Sequence, residues 1–456
     1  MTVVSLFRIG RGAPALAAVL LAAPGFATTY YVAPPPAGSD GNPGTLAQPW
    51  GTLQHAADTV GPGDVVIALA GDHAAFEVTT SGTSGAPITF RAAPGPPVRI
   101  VSDVPGRGAG INVEGASWIV LEGFTVENRA TVGIRAVLCD QVTIRGNVAR
   151  DNGRWGIFTG CCDDLQIEGN LTSGSCLEHG IYVSNSGDRP VIRGNVVLDN
   201  DKNGIHMNGD LSVDCDGATV QDGVISEAVV EGNLVVGNGH GTCSGAGGGS
   251  GINGDGVQDS LIRNNLIWDT HASGISLYQI DGGEPATGNR VLGNTIHVAA
   301  DGRWAVNIQD GSTGNTVVGN TLWSDHANRG AIAACASCLT GLVSDRNAVE
   351  DRFSADGGDT FITLAQWQTA TGQDHSSAIA SPAALFVDPA GGDYHPKPGS
   401  AALELAPVRA DLTADLEGAV RPQGTSSDAG AFEGVGTLFR DDFEYGSYLR
   451  WSAWVP

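Results

Sequence analysis

A four-residue pattern, apolar–any–Gly or Asn–Asn, recurs through the middle of the chain and restricts its fold more than any other feature. It reads Ile144-Arg-Gly-Asn147, Ile167-Glu-Gly-Asn170, Ile192-Arg-Gly-Asn195, Val230-Glu-Gly-Asn233, Ile262-Arg-Asn-Asn265, Val291-Leu-Gly-Asn294 and Val317-Val-Gly-Asn320. The Asn-to-Asn spacings are 23, 25, 38, 32, 29 and 26. A second mark, Gly-Ile or a close variant, precedes each one, at Ile134, Ile157, Ile181, Ile205, Ile252, Ile275 and Val306. Two marks in step at a period in the low twenties mean stacked coils of short strands.

The intervening segments are short, β-branched and broken by Gly and Asn, with no helical spacing. Sixty-six glycines in 456 residues are too many for a helical bundle, and they lack a collagen-like period. With 41% hydrophobic and 16% charged residues, wholesale disorder is excluded as well. A propeller needs longer repeats, and a leucine-rich repeat needs Leu at fixed positions. The expected fold is all-β, a right-handed parallel β-helix, one solenoid whose coils bury their inward residues against their neighbours. The recurring Asn suits a tight turn that tolerates a left-handed backbone, where Asn would stack on Asn.

Segments outside the repeat carry a resemblance. Tyr30-Tyr-Val-Ala-Pro, Gly38-Ser-Asp-Gly-Asn-Pro-Gly44, Pro49-Trp-Gly-Thr-Leu-Gln-His55 and Pro62-Gly-Asp-Val65 resemble the opening of many secreted β-helix proteins. Asp415-Leu-Glu-Gly-Ala-Val-Arg-Pro422 and Asp428-Ala-Gly-Ala-Phe-Glu433 are similar to the closing segment of secreted members with sorting tails. With the repeat, they make the chain resemble the right-handed parallel β-helix superfamily, which includes pectate-lyase-like and alginate-active enzymes. The resemblance implies fold and export; the superfamily holds lyases, hydrolases, epimerases and non-enzymes.

The organisation follows. Residues 1–27 read as an export signal, with Arg8 and Arg11 before a short apolar run and Gly25-Phe26-Ala27 at the cleavage point. Residues 28–110 cap and start the solenoid, with a short helix over 53–60. Coils occupy 111–349, and 350–435 hold the last coils, a helical excursion at 360–372 and the closing segment. The tail, 436–456, is aromatic and acidic, either a terminal cap or a sorting signal. No segment reaches the ~20 apolar residues of a membrane span. Eight cysteines, all beyond the export signal, fit disulfides in an oxidising compartment, and Cys335-x-x-Cys338 reads as a short-loop disulfide. A secreted monomer is expected, extracellular, at the cell surface or periplasmic. The net charge of −25 argues against nucleic acid as a partner, counts against acidic glycans unless a bound cation or a local basic spot compensates, and leaves neutral or cationic ligands and divalent metals; the expected partner is a polysaccharide.

Strand alternation locates a candidate site. If the Gly-Ile isoleucine points inward, so do Thr159, Val183, Met207, Leu277 and Ile308, two residues on. One outward column is then Arg135, Phe158, Tyr182, His206, Asn253, Ser276 and Asn307. The next is Val137, Gly160, Ser184, Asn208, Asp255, Tyr278 and Gln309. Both are expected to face solvent, with Tyr182 beside His206. Extra residues after Asp210, within 238–250 and after Asp281 would wall a cleft there. Lys202, one of only two lysines, stands three residues before Ile205, and His179 with Glu178 holds the matching place one coil earlier.

These groups suit uronate β-elimination, which needs a base, a neutraliser of the carboxylate and an acid for the leaving oxygen. Lys202, His206, Tyr182 and His179 are the candidates for base and acid. Asn208, Asn253, Tyr278 and Gln309 are candidate substrate contacts. Calcium on Asp210, Asp214, Asp216 and Asp255 is a further means of neutralisation. Two alternatives remain. One is a hydrolase or epimerase on the same fold, with Asp210 and Asp255 as a hydrolytic carboxylate pair. The other is a non-catalytic surface β-helix whose Asn and Asp are turn residues. The Asp-Pro-His-Asp motif of alginate epimerases is absent, and the order of acidic motifs differs from polygalacturonase-like hydrolases.

Overall fold

The computed structural model describes residues 27–434 except 244 and 246; the segment read as an export signal, apart from its last residue, and the aromatic tail lie outside the described residues. Each coil gives one strand to each of three long parallel sheets of twelve, twelve and eleven strands. One coil is Val142–Arg145 in the first sheet, Val148–Arg150 in the second and Trp155–Asp163 in the third. The architecture is a right-handed parallel β-helix.

The apolar residue of the repeat forms an inner file. Ile144, Ile167, Ile192, Val230, Ile262, Val291 and Val317 pair in register along the first sheet. All are fully buried within one core that runs from Val32 to Trp367. Each such side chain contributes roughly 1.5–3 kcal/mol, and only stacking on the next coil makes that burial available.

The Asn residues do stack, but they are not the left-handed residues of the turn. The positive φ falls one position earlier, at Gly146 (62°), Gly169 (60°), Gly194 (61°), Gly232 (64°) and Asn264 (52°). That corner favours Gly, which has no Cβ, or Asn, which tolerates the left-handed region. The next Asn is then turned inward, where its amide bridges coils: Asn147 Nδ2 donates to Asn170 Oδ1 at 3.1 Å, and Asn170 Nδ2 to Asn195 Oδ1 at 3.0 Å.

The helix Leu53–Thr59 closes one end, burying Leu53, Ala56 and Ala57. At the other end, Leu364–Thr371 carries Trp367, which is fully buried and stacks on Phe353 with ring centroids 5.2 Å apart. The closing segment folds back along the solenoid: Phe386, Tyr394 and Phe432 cluster with Leu266, and Leu412 packs with Leu261 and Leu292. All eight cysteines are paired, as Cys139–Cys162, Cys161–Cys215, Cys176–Cys243 and the short-loop Cys335–Cys338.

Candidate functional site

Five inward residues, Thr159, Val183, Met207, Leu277 and Ile308, are buried as the alternation requires. On the opposite face of the third sheet, Phe158, Tyr182, His206, Asn253, Ser276 and Asn307 pair in register. Gly160, Ser184, Asn208, Asp255 and Tyr278 form the second column.

The middle of these columns points outward but is not solvated, contrary to expectation: His206 is 8% exposed, Asn208 2%, Asn253 6% and Asp255 1%. Inserted segments cover them. The segment after Tyr278 meets the insertion after Asp210, with an isolated bridge between Asp210 and Gly282 and a Gly283 N–H to Gly223 O bond of 2.8 Å.

An aromatic row leads into this covered patch. Trp155 stacks on Phe158 (centroids 4.7 Å), Phe158 tilts against Tyr182 (5.5 Å), and Tyr182 stacks on His206 (4.9 Å, interplanar angle 16°). Arg154 lies over Trp155, 4.3 Å from the ring centroid. Trp155, Phe158 and Tyr182 are all part-exposed.

The two histidines form a pair whose proton positions can be deduced. Asn203 donates its main-chain N–H to His179 Nδ1 at 3.2 Å, so a neutral His179 carries its proton on Nε2. That nitrogen faces His206 Nδ1 at 2.9 Å and donates to it. His206 therefore keeps its own proton on Nε2, which is buried and without a hydrogen-bond partner. Leaving a donor so costs about 1–3 kcal/mol, which a ligand oxygen would offset.

Burial holds both imidazoles neutral. It pushes His206 down to about 3. His179 is also held well below the ordinary imidazole value, by burial first and then by electrostatic repulsion from the neighbouring His206 site and from the cations Arg154 and Lys202. Burial raises the Tyr182 phenol, so it stays protonated. Tyr182 Oη accepts from Asn208 Nδ2 at 3.2 Å, and Tyr278 Oη from Asn253 Nδ2 at 2.6 Å.

A pH dependence follows. Unfolded histidine binds a proton below about 6.5, whereas folded His206 does not until about 3. The unfolded state thus takes up more protons in that window, and stability falls as pH drops from about 6.5. Each histidine so depressed contributes up to about 1.4 kcal/mol per pH unit. His73 is depressed in the same direction, while His395, raised despite burial by Glu417 and Asp393, acts in the opposite sense. Urea unfolding at pH 7, 6 and 5 is expected to show this slope, and His206→Gln to reduce it by close to one proton. An unchanged slope in that variant would contradict a neutral, buried His206.

The remaining residues are placed as follows. Lys202 is half-buried in the turn preceding His206, its main-chain N–H on Glu178 O at 3.0 Å. Gln309 lies just beyond the column and donates to Asn307 Oδ1 at 2.7 Å. Asp255 is a loop anchor, accepting from the N–H groups of Ile280 (2.8 Å), Asp281 (2.8 Å) and Gly282 (3.0 Å). Asp210 accepts from Ser212 at 2.7 and 2.6 Å, and Asp214 from the Asp216 N–H at 3.0 Å. No three of these four acids bring ligand atoms together. Among the described residues the group that does is His240, Asp269 and His271, with ligand atoms within 4.8 Å of one another. Sequence reasoning missed it because the two histidines are 31 residues apart, one full coil. A groove lined by Arg193, Glu231, Arg263 and Asp415 lies on the first sheet. Arg193 and Arg263 both pair with Glu231, Arg263 Nε at 2.6 Å, and Asp415 accepts main-chain N–H groups of Glu417, Ala419 and Glu433.

Two family models match the chain: a periplasmic copper-binding protein family (NosD) over residues 92–241 and a right-handed β-helix region over 175–340. No curated protein matches it. Among solved structures, the pectate lyase Pel9A is 15% identical with a TM-score of 0.60, covering 90% of this chain and 96% of that one. XylC in complex with xylose is 10% identical with a TM-score of 0.54, covering 89% and 98%. At such identities the likeness is one of fold.

Proposed function

We propose that this protein, a member of the right-handed parallel β-helix superfamily, binds a polysaccharide across the outer face of its third sheet and cleaves uronate linkages in it by β-elimination. The observation that carries the reading is the aromatic row Trp155–Phe158–Tyr182 ending on a neutral imidazole with an unpartnered donor. Part-exposed aromatic rings in a row offer apolar surface against which successive sugar rings can pack. The His206 Nε2–H, covered in this structure, is suited to hydrogen-bond the uronate carboxylate once the segments over it part, and that carboxylate's charge grows as the α-proton leaves. Tyr182, held as a phenol, is suited to protonate the departing glycosidic oxygen. Lys202, at the entrance to the same strand, is assigned the role of base. This reading assigns no step to the calcium expected on Asp210, Asp214, Asp216 and Asp255, no three of which bring ligand atoms together.

A second reading, non-catalytic glycan binding, is favoured by one feature: His206 has a donor rather than a lone pair left for a ligand, and both nitrogens of His179 are already used. The test is a panel of polyuronates and neutral glycans, followed by ultraviolet absorbance of unsaturated uronate and by reducing ends. Absorbance with matching reducing ends is expected. Reducing ends without absorbance would replace elimination by hydrolysis. Silence in both, with retained glycan binding, would establish the second reading.

A further inference from the structure

Away from the aromatic row, the turns joining the second and third sheets bring together groups that the proposed reaction does not use. His240 follows the strand Leu234–Val236, Asp269 and His271 follow Leu266–Trp268, and Asp301 follows Thr295–Val298. Coil stacking fixes their heights: His271 N–H bonds Asn238 O at 3.0 Å, and Asp269 N–H bonds His297 O at 3.0 Å. The Cys176–Cys243 disulfide ties down the segment that carries His240.

The two imidazoles meet Nε2 to Nε2 at 3.0 Å. Two N–H groups cannot face each other at that distance, so at least one nitrogen presents its lone pair. Asp301 identifies which. Its carboxylate lies 2.7 and 2.9 Å from His271 Nδ1, accepts that proton, and leaves the lone pair on His271 Nε2. A carboxylate behind a histidine is the usual outer support of a metal ligand. Tetrahedral zinc with Zn–N bonds of about 2.0–2.1 Å places its ligand nitrogens about 3.3 Å apart, close to the separation here. The Asp269 carboxylate supplies a third ligand atom, within 4.8 Å of a ring nitrogen of each histidine.

We propose that His240, His271 and Asp269 bind one divalent transition-metal ion of the zinc or copper class, with Asp301 as the residue that orients His271. Two imidazoles and one carboxylate suit such ions, whereas calcium and magnesium prefer oxygen throughout. The ion would pin together the turns of two successive coils. It would also steady the insertion ending at Ser250, whose N–H bonds Asn203 Oδ1 at 2.6 Å in the turn that holds Lys202.

The test uses chelator-treated protein titrated separately with zinc, copper and calcium chlorides by calorimetry. One equivalent of zinc or copper is expected to bind, and calcium is not. His240→Ala and His271→Ala are each expected to weaken binding at least 100-fold, and Asp301→Asn about 10- to 100-fold. Asp58→Asn, on the distant capping helix, should leave it unchanged. His240 is exposed, so His240→Ala keeps the fold, and a metal-free melt matching that of the parent verifies this. A parent protein that takes up no stoichiometric zinc or copper would overturn the proposal. So would unchanged affinity in both histidine variants, or equal binding of calcium.

Discussion

Tyr182→Phe is expected to lower turnover of the uronate polymer by about 10²- to 10⁴-fold, the range for loss of a positioned proton donor. The effect should fall on kcat, with KM nearly constant, because the phenyl ring keeps its place between Phe158 and His206. What disappears is the hydroxyl, and with it the acceptor for Asn208 Nδ2 at 3.2 Å. That lost bond costs about 1 kcal/mol of stability, too little to unfold the chain. His206→Ala differs in kind. It removes both the stacking partner of Tyr182 and the unpartnered Nε2–H, so KM should rise as kcat falls. Steady-state kinetics on both variants, with melting temperatures alongside, separate the two roles. If Tyr182→Phe retains more than a third of the parent turnover, the phenol is not the acid, and Lys202 has to supply both proton transfers or the elimination reading fails.

The residues that bear on this experiment were legible to different degrees, for physical reasons. Strand alternation has a period of two and coil stacking a period near 25, so the Gly-Ile marks alone placed Tyr182 beside His206 and Asn208 beside Asp255. Burial of those columns was not legible, because it depends on how the insertions after Asp210 and Asp281 fold across the sheet. The same insertions explain Asp255: an acid that looked like a metal or proton-transfer group has both oxygens occupied by main-chain N–H groups at 280–282. His179 was placed one coil before His206, but its contact with that ring required the Asn203 turn to donate its main-chain N–H to the other imidazole nitrogen. His240 and His271 were missed for the opposite reason. Local ligand spacing is the usual metal signal in a sequence, and in a solenoid the relevant spacing is a whole coil. The Asn ladder lies between these cases, since its stacking followed from the repeat while its left-handed corner lay one residue away.

That ladder supports the second large effect. Asn233→Ala is expected to destabilise the protein by about 3–5 kcal/mol, because several buried polar groups lose their partners at once. Asn233 Oδ1 accepts from Asn195 N at 2.9 Å and from Asn195 Nδ2 at 3.0 Å. Its Nδ2 donates to Ile192 O and Asn265 Oδ1, each at 2.9 Å. The side chain is fully buried, so no water replaces these bonds without opening the turn. Coils in a solenoid support only their neighbours, so a break in the middle weakens the coils on both sides of it. Asn233→Asp is nearly isosteric but cannot donate, and it should cost at least as much. The adjacent Gly232→Ala is the control. Its φ is 64°, yet an added Cβ meets nothing closer than 3.9 Å, so only the backbone preference is violated, a cost of about 1 kcal/mol. Urea unfolding of the three variants measures the ranking. A loss below 1 kcal/mol for Asn233→Ala, or one no greater than that for Gly232→Ala, would mean that the inward-facing methyls alone hold the coils in register.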